Sequence, residues 1–282
     1  MTDPVWVKSE RQRERERIRR SQGLRGASVA ATSAILFVVL VAVVVLNAPG
    51  WPRVQDAFFD PELFSLSLPA VAEGFLINVK IFLIAEPIIL VVGVIVAVVR
   101  STTNPALFPF RALATFYVDL FRGIPTLLVI YIVGFGLPGL KLQGIPNDLV
   151  TLGVIALTLT YGAYVAEVIK SGIESIHPSQ VASARSLGLN RGQTLRFVVL
   201  PQAARRVVVP LLNDFVALQK ETSLVSTLGL LEAVRQAQII SSKHFDYTSY
   251  LVASMLFVLI TIPLARYTDY LAAKARRRQG SS

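Results

Sequence analysis

An all-α, polytopic membrane protein with about six transmembrane helices is what this chain of 282 residues predicts, and three observations carry that prediction. Mean hydropathy is +0.58, and only 16% of the residues are charged, against about 25% in a soluble domain. The apolar residues come in runs long enough for a bilayer core about 30 Å thick, which takes roughly 20 helical residues. The Lys and Arg residues collect between alternate runs. Open strands are excluded, because backbone polar groups in lipid must be satisfied within their own segment.

Taken in order, residues 1–27 form a basic arm, with "KSERQRERERIRR" (8–20) reading as solvated. Its charged stretch is too long for a signal peptide, and no small-residue cleavage site follows the apolar run. An additional N-terminal transmembrane helix is expected over 28–46, "SVAATSAILFVVLVAVVVL". A loop bearing Pro, Gly and Trp leads to a second span over 75–99, which Arg100 ends. Residues 101–122 are mixed and amphipathic, as in a helix lying partly at the interface. A third span runs from about Ile124 to Leu137, and a fourth over 149–167. A polar stretch, 168–200, separates it from a fifth span over 201–230 that carries Asn213, Asp214, Lys220 and Glu221. A polar segment then precedes a sixth span over 250–265, and a basic tail, 271–282, closes the chain.

Orientation follows from the flanks, since Lys and Arg favour cytoplasmic loops. With both termini cytoplasmic, six spans put 22 of the 28 basic residues on that side. The net charge of +10 is thereby assigned to membrane orientation and attraction to membrane lipid rather than to nucleic acid. There is no cysteine and only His177 and His244, so no thiolate or His-based metal site is expected. No G-x-x-x-x-G-K-[ST] phosphate cradle occurs, and no acid/base cluster stands at usable spacing, so this chain is not expected to be an enzyme.

The polar stretch repays a closer look. "HPSQVASARSLGLNRGQTLRFVVLP" (177–201) reads as two short helices. Pro178 suits a first helical turn, Gly188 a C-terminal stop at positive φ, and Asn190 an N-cap. A mere connector could be far shorter. Ala182-Ser183-Ala184, three residues, Gly188, nine residues and Val198-x-Leu200-Pro201 resemble the EAA loop of ATP-binding-cassette importer permeases. The loop departs from that pattern at Ala182, where the family has Glu, and at Ser183, where it has Ala. Four further stretches are similar to the polar amino-acid (His/Glu/Gln/Arg-type) branch, 121–138, 164–180, 187–205 and 217–229, and this resemblance covers about 70–270, which it implies is the importer transmembrane domain with its coupling loop at 168–200. Where that branch has Arg-Gly-Thr-Pro and Lys-Asp-Thr-Ser, this chain has Arg122-Gly123-Ile124-Pro125 and Lys220-Glu221-Thr222-Ser223.

The resemblance implies a type I importer fold in a bacterial cell membrane, with a second permease chain, identical or related, completing a central path for an amino acid. It also implies two ATPase subunits that hold ATP and Mg, and an extracytoplasmic substrate-binding protein. Ala182, Ser183, Ala184, Arg185, Gly188, Leu200 and Pro201 would then couple to the ATPase. Candidates for the path are Arg122, Gly123, Pro125, Glu167, Lys220, Glu221, Thr222 and Ser223.

The residues themselves leave alternatives open. Arg122 either marks a functional break or snorkels to the interface. Glu167 either braces the loop or pairs with Lys170 at i+3. Lys220–Ser223 is either a polar point on the path or the wet end of a shorter helix. Glu86-Pro87 reads as a structural kink facing the bundle interior, Asn213-Asp214 as interhelical hydrogen bonding, and Tyr161 and Tyr164 as packing. A secondary transporter or channel driven by an ion gradient remains the alternative function, although nothing in that class calls for the two-helix loop.

Overall fold

The computed structural model describes residues 10–102, 104–141, 144 and 147–280. The first nine residues of the basic arm, part of the loop after the third span (142–143 and 145–146), Thr103 and the end of the tail (281–282) lie outside these. Every regular element among the described residues is helical, which bears out the all-α class.

Two compact units are present, Met1–Ala57 and Phe58–Ser282. In the first, α1 (Glu10–Leu46) runs as one helix from the basic arm through the predicted first span. Its most apolar part, Val29–Leu46, is not buried. The short α2 (Trp51–Phe58) follows.

The second unit is organised on α3 (Pro61–Ser101) and α6 (Leu149–Glu174), which pack along each other. α3 starts at Pro61, well before the expected 75, because Asp60 caps it: the carboxylate accepts from the Glu62 and Leu63 amides at 2.8 and 3.1 Å. It continues through Pro69 and Pro87 to Ser101 as one helix. Asp148 caps α6 in the same way, accepting from the Thr151 amide at 2.9 Å. Ile81 and Ile89 of α3 interdigitate in one core with Leu152 and Leu157 of α6, and all four are essentially inaccessible.

The third span departs most from a plain helix. α4 (Phe108–Gly123) and α5 (Thr126–Gly139) meet at 109°. Pro125 causes the break: the residue before a proline is driven out of the helical region, and Ile124 is indeed extended at φ −100°, ψ 131°. Pro125 then opens α5, its carbonyl accepting from Leu128 and Val129. At 14 residues, α5 reaches only about 21 Å and cannot span a bilayer alone.

After α6 come the short α7 (Pro178–Ser186) and α8 (Arg191–Thr194), then a π-helical turn over Leu195–Val199 that runs into α9 (Leu200–Glu221). Pro201 has no amide hydrogen, and its ring crowds the carbonyl four residues back. The turn before it widens, so that the Leu200 amide bonds to Leu195. α9 stops at Glu221, short of the 230 expected for a fifth span, and tightens into a 3₁₀ helix, Thr222–Leu228. Three residues per turn bring Thr222, Val225 and Leu228 onto one face, and all three are buried. α10 (Ala233–His244) fills what read as a polar segment, and α11 (Thr248–Gly280) includes the sixth span and most of the basic tail.

Among the described residues four helices are long and apolar enough to cross a membrane, or five if the bent α4–α5 pair counts as one span. α9 falls short because Arg205, Arg206, Asn213, Asp214, Lys220 and Glu221 interrupt its apolar residues.

Candidate functional site

At one end of the second unit, residues 175–199 form a compact knob between α6 and α9. The polar excursion is shorter than the predicted 168–200 because α6 runs on to Glu174. His177 caps α7, its ring nitrogen accepting from the Ser179 amide at 3.2 Å, with Pro178 in the first turn. Gly188 stops α7 at φ +85°, a conformation that strains any side chain. Here the Leu189 amide bonds to the Ala184 carbonyl and the Gly188 amide to Arg185, a left-handed C-cap. Asn190 and Gln193 then cap α8 reciprocally, each side chain accepting from the other's amide at 2.9 Å.

The knob is bound to the bundle by Ile176, Val199 and Ala203, which pack together, and by Arg206 Nη1, which donates to the Ser175 carbonyl at 2.5 Å. Its outer surface is mixed: Leu187, 84% exposed, and Phe197, 62% exposed, stand among the exposed Arg185, Arg191 and Arg196. Ala182, Ser183, Arg185, Gly188, Leu200 and Pro201 are exposed too, whereas Ala184 is turned inward at 4%.

Deeper, a cavity of about 440 Å³ opens between α6 and α9 beside the α4–α5 break. Arg122, Glu167, Arg206 and Asp214 supply its charged lining, beside Tyr164, Ser171 and Ser175. Glu167 does not pair with Lys170, which turns to Glu174 at 3.2 Å. Instead its Oε2 receives Arg100 Nη1 from the end of α3 at 2.6 Å, with Arg122 Nη1 at 3.6 Å. One carboxylate oxygen thus stands between two guanidiniums from different elements. Arg100 is buried, its side chain only 6% exposed, whereas Arg122 is 41% exposed. Arg122, Gly123, Pro125 and Glu167 are therefore brought together at the break.

Lys220–Ser223 lies elsewhere, near the far end of α9. Lys220 is exposed, and the Ser223 hydroxyl turns back to the Lys220 carbonyl at 2.8 Å. Thr222 is fully buried. Between the two places, Tyr161 has Glu221, Asp214 and Glu86 as charged neighbours. Asp214 does not make the expected interhelical hydrogen bond: its Oδ2 and the Glu221 Oε2 are buried without partners. Tyr161 and Tyr164 pack ring to ring at 5.9 Å, and Tyr164 also faces the cavity.

Three residues that the sequence reading passed over stand out. Arg100 had read only as the end of a span. Asn78, within an apolar run, and Glu232, in a polar segment, are buried together at 1% and 0% exposure. No group of His, Cys, Asp and Glu among the described residues is placed to hold a metal ion.

Comparison with known proteins gives a consistent result. The sequence profile of "Binding-protein-dependent transport system inner membrane component" matches residues 89–277. A "Probable glutamine ABC transporter permease protein" of Bacillus subtilis (strain 168) is 35% identical over 190 residues, covering 66% of this chain and 84% of that protein. An arginine transport system permease protein of the same organism is 33% identical over 197 residues, 69% of this chain and 88% of that one. Among solved structures, an amino acid ABC transporter with histidines superposes with a TM-score of 0.66 at 28% identity, covering 73% of this chain and 94% of that one.

Proposed function

The chain belongs to the family of binding-protein-dependent transport system inner membrane components, and from that premise we propose how it works as the translocation subunit of an ATP-driven amino-acid importer. The knob at 175–199 is the surface that docks on a separate ATPase subunit. What carries this reading is its build: two capped helices, a positive-φ stop at Gly188, and Leu187 and Phe197 held out to solvent. Exposed apolar side chains on a braced knob mark a protein interface.

Ala182, Ser183, Arg185 and Gly188 lie on the docking side, with Leu200 and Pro201 at its root, while Ala184 supports the knob from within. ATP and Mg are held by the two ATPase subunits rather than by this chain. A second permease chain completes the path, and a substrate-binding protein delivers the solute from outside. Both termini face the cytoplasm. Closure of the ATPase pair moves the knob and shifts the population of the bundle between inward-open and outward-open states.

On the path, Arg122 and Glu167 flank the cavity at the broken span, with Gly123 and Pro125 setting the break. Glu221 stands further along with Asp214 and Glu86. Lys220, Thr222 and Ser223 shape the end of α9. The relatives include permeases named for glutamine and for arginine. The carboxylates with buried, unpartnered oxygens favour a polar amino acid with a cationic side chain.

The test is uptake of labelled arginine and glutamine into vesicles carrying the permease with its co-purified ATPase and binding protein. ATP-dependent uptake with arginine the stronger competitor is expected. Uptake driven by a proton or sodium gradient in the absence of the ATPase would overturn the reading.

A further inference from the structure

The end of α9 away from the knob is fastened by a buried polar cluster that composition does not lead one to expect in a bundle of this kind. Asn78 of α3 uses both halves of its amide there. Its Nδ2 donates to Glu232 Oε2 at 2.9 Å and to Thr222 Oγ1 at 3.3 Å, while its Oδ1 accepts from the Ala233 amide at 3.2 Å. Glu232 in turn caps α10, accepting from the Val234 and Arg235 amides at 3.1 and 2.8 Å. The Thr222 hydroxyl donates to the Gln219 carbonyl at 2.8 Å, and Gln219 Oε1 accepts from Thr261 of α11 at 2.7 Å. One asparagine therefore reads both ends of the segment 222–233, and the cluster reaches α11 as well.

Two further features confine the same segment. Leu228 and Val225 sit where a β-carbon on Gly134 of α5 or Gly153 of α6 would collide with them, at 2.3 and 2.7 Å. The start of α10 passes so close to Gly74 of α3 that only glycine fits there. A fully buried carboxylate is costly unless its oxygens are satisfied, and here the donors come from α10 itself and from Asn78.

We infer that Asn78 and Glu232 are positioning residues for coupling, which fasten the far end of α9 to α3 so that the helix can transmit movement between its two ends. The mechanical argument rests on α9 itself. It is one continuous helix of 22 residues, carrying Pro210 near its middle, about 33 Å long, with the knob at Leu200 and the fastening at Thr222. A rod transmits displacement only if its remote end is held. With the fastening broken, docking of a loaded binding protein at that end no longer reaches the ATPase at the other.

This inference rests on the importer reading. The test is made on the complete complex with its ATPase and binding protein, reading ATP hydrolysis with and without loaded binding protein per assembled complex. Asn78→Asp sets two carboxylates against each other. Glu232→Gln turns an NH2 group either on Asn78 and the Val234 amide or, flipped, on the Arg235 amide, so one donor always loses its acceptor. Each is expected to lower the stimulated-to-basal ratio roughly tenfold or more, the scale of losing one partner of a buried charged hydrogen bond. The reciprocal double variant, Asn78→Asp with Glu232→Gln, again faces one acceptor with one donor across the pair, though not at the Val234 amide, and should recover a large part of the lost ratio.

A purely structural role would lower the amount of complex, not the ratio per complex. Thr222→Val, which keeps the shape and removes the hydroxyl, gives a milder case should the single variants not assemble, and it too should lower the ratio. Unchanged ratios in the assembled variants, or a double variant no better than the worse single one, would overturn the inference. Absence of ATP-driven uptake by the wild-type complex would instead overturn the importer reading.

Discussion

Replacing Gly74 with alanine should destabilise the protein, although alanine is the better helix former. The added β-carbon would lie 2.6 Å from the Glu232 carbonyl carbon, 2.8 Å from the Ala233 nitrogen and 2.9 Å from the Glu232 oxygen. All three are backbone atoms, and the Glu232 cap and Asn78 hold them in place. No side chain can simply swing aside. Overpacking costs about 1–3 kcal/mol, and rigid neighbours place this site at the upper end. Helix propensity returns about 1 kcal/mol. The net loss is roughly 1–2 kcal/mol, which at about 2–4 °C per kcal/mol for a chain of this size lowers Tm by several degrees.

The control is Gly136→Ala in α5, where nothing lies within 4 Å of the added carbon. There only propensity acts, and Tm should rise. Thermal unfolding of both variants in the same detergent, followed by intrinsic fluorescence, measures the two signs side by side. A Gly74→Ala protein that melts at or above wild type would refute the close approach of α10 to α3.

Other perturbations have equally definite outcomes. Glu167→Ala leaves the buried Arg100 cation without its 2.6 Å partner, so it should cost roughly 3 kcal/mol in unfolding. Lys170→Ala loses only a partly exposed helix-surface pair with Glu174 and should change stability by less than about 0.5 kcal/mol, a contrast that denaturation of the two variants would measure. Gly188→Val puts a β-branched residue at φ +85°; uptake per ATP should collapse while membrane insertion, checked by fractionation, stays intact. A cysteine at the exposed Ser183 should cross-link to a cysteine-bearing ATPase on denaturing gels, and one placed in the 52–68 segment should not.

The features legible in the sequence are those whose causes are local. Pro178, Gly188 and Asn190 each act within a few residues of themselves, so the knob's caps could be assigned without knowing what surrounds them. Arg122, Gly123 and Pro125 left a break open as one of two readings, and its 109° bend was not legible, since α4 and α5 each pack against α6. Glu167 shows why proximity along a helix misleads: Lys170 was the nearest cation in sequence, yet the partner that matters lies 67 residues away on α3. Glu167 meets the guanidiniums delivered by α3 and by the end of α4, while Lys170, on the same helix, turns one turn further on to Glu174.

Asn78 and Glu232, 154 residues apart, were hidden for a related reason. Each looks ordinary where it stands, one polar residue in an apolar run and one acid in a polar segment, and only their meeting is informative. The early end of α9 had a signal, since Thr222, Val225 and Leu228 repeat every third residue. That period belongs to a tighter helix than the one a span is assumed to have.

The widened turn before Pro201 also fixes how the knob faces its surroundings. Each residue of an α-helix rotates the chain by about 100°, and a π turn accommodates one residue more than an α turn does. Shortening Leu195–Val199 by a single residue would therefore let this turn close to an ordinary α turn with the knob's bearing kept, whereas one residue removed from the regular part of α9 would swing the knob about a quarter of the way around the axis. The compass bearing of Leu187 and Phe197 is thus buffered at this one stretch against loss of a single residue, a tolerance that the rest of α9 lacks.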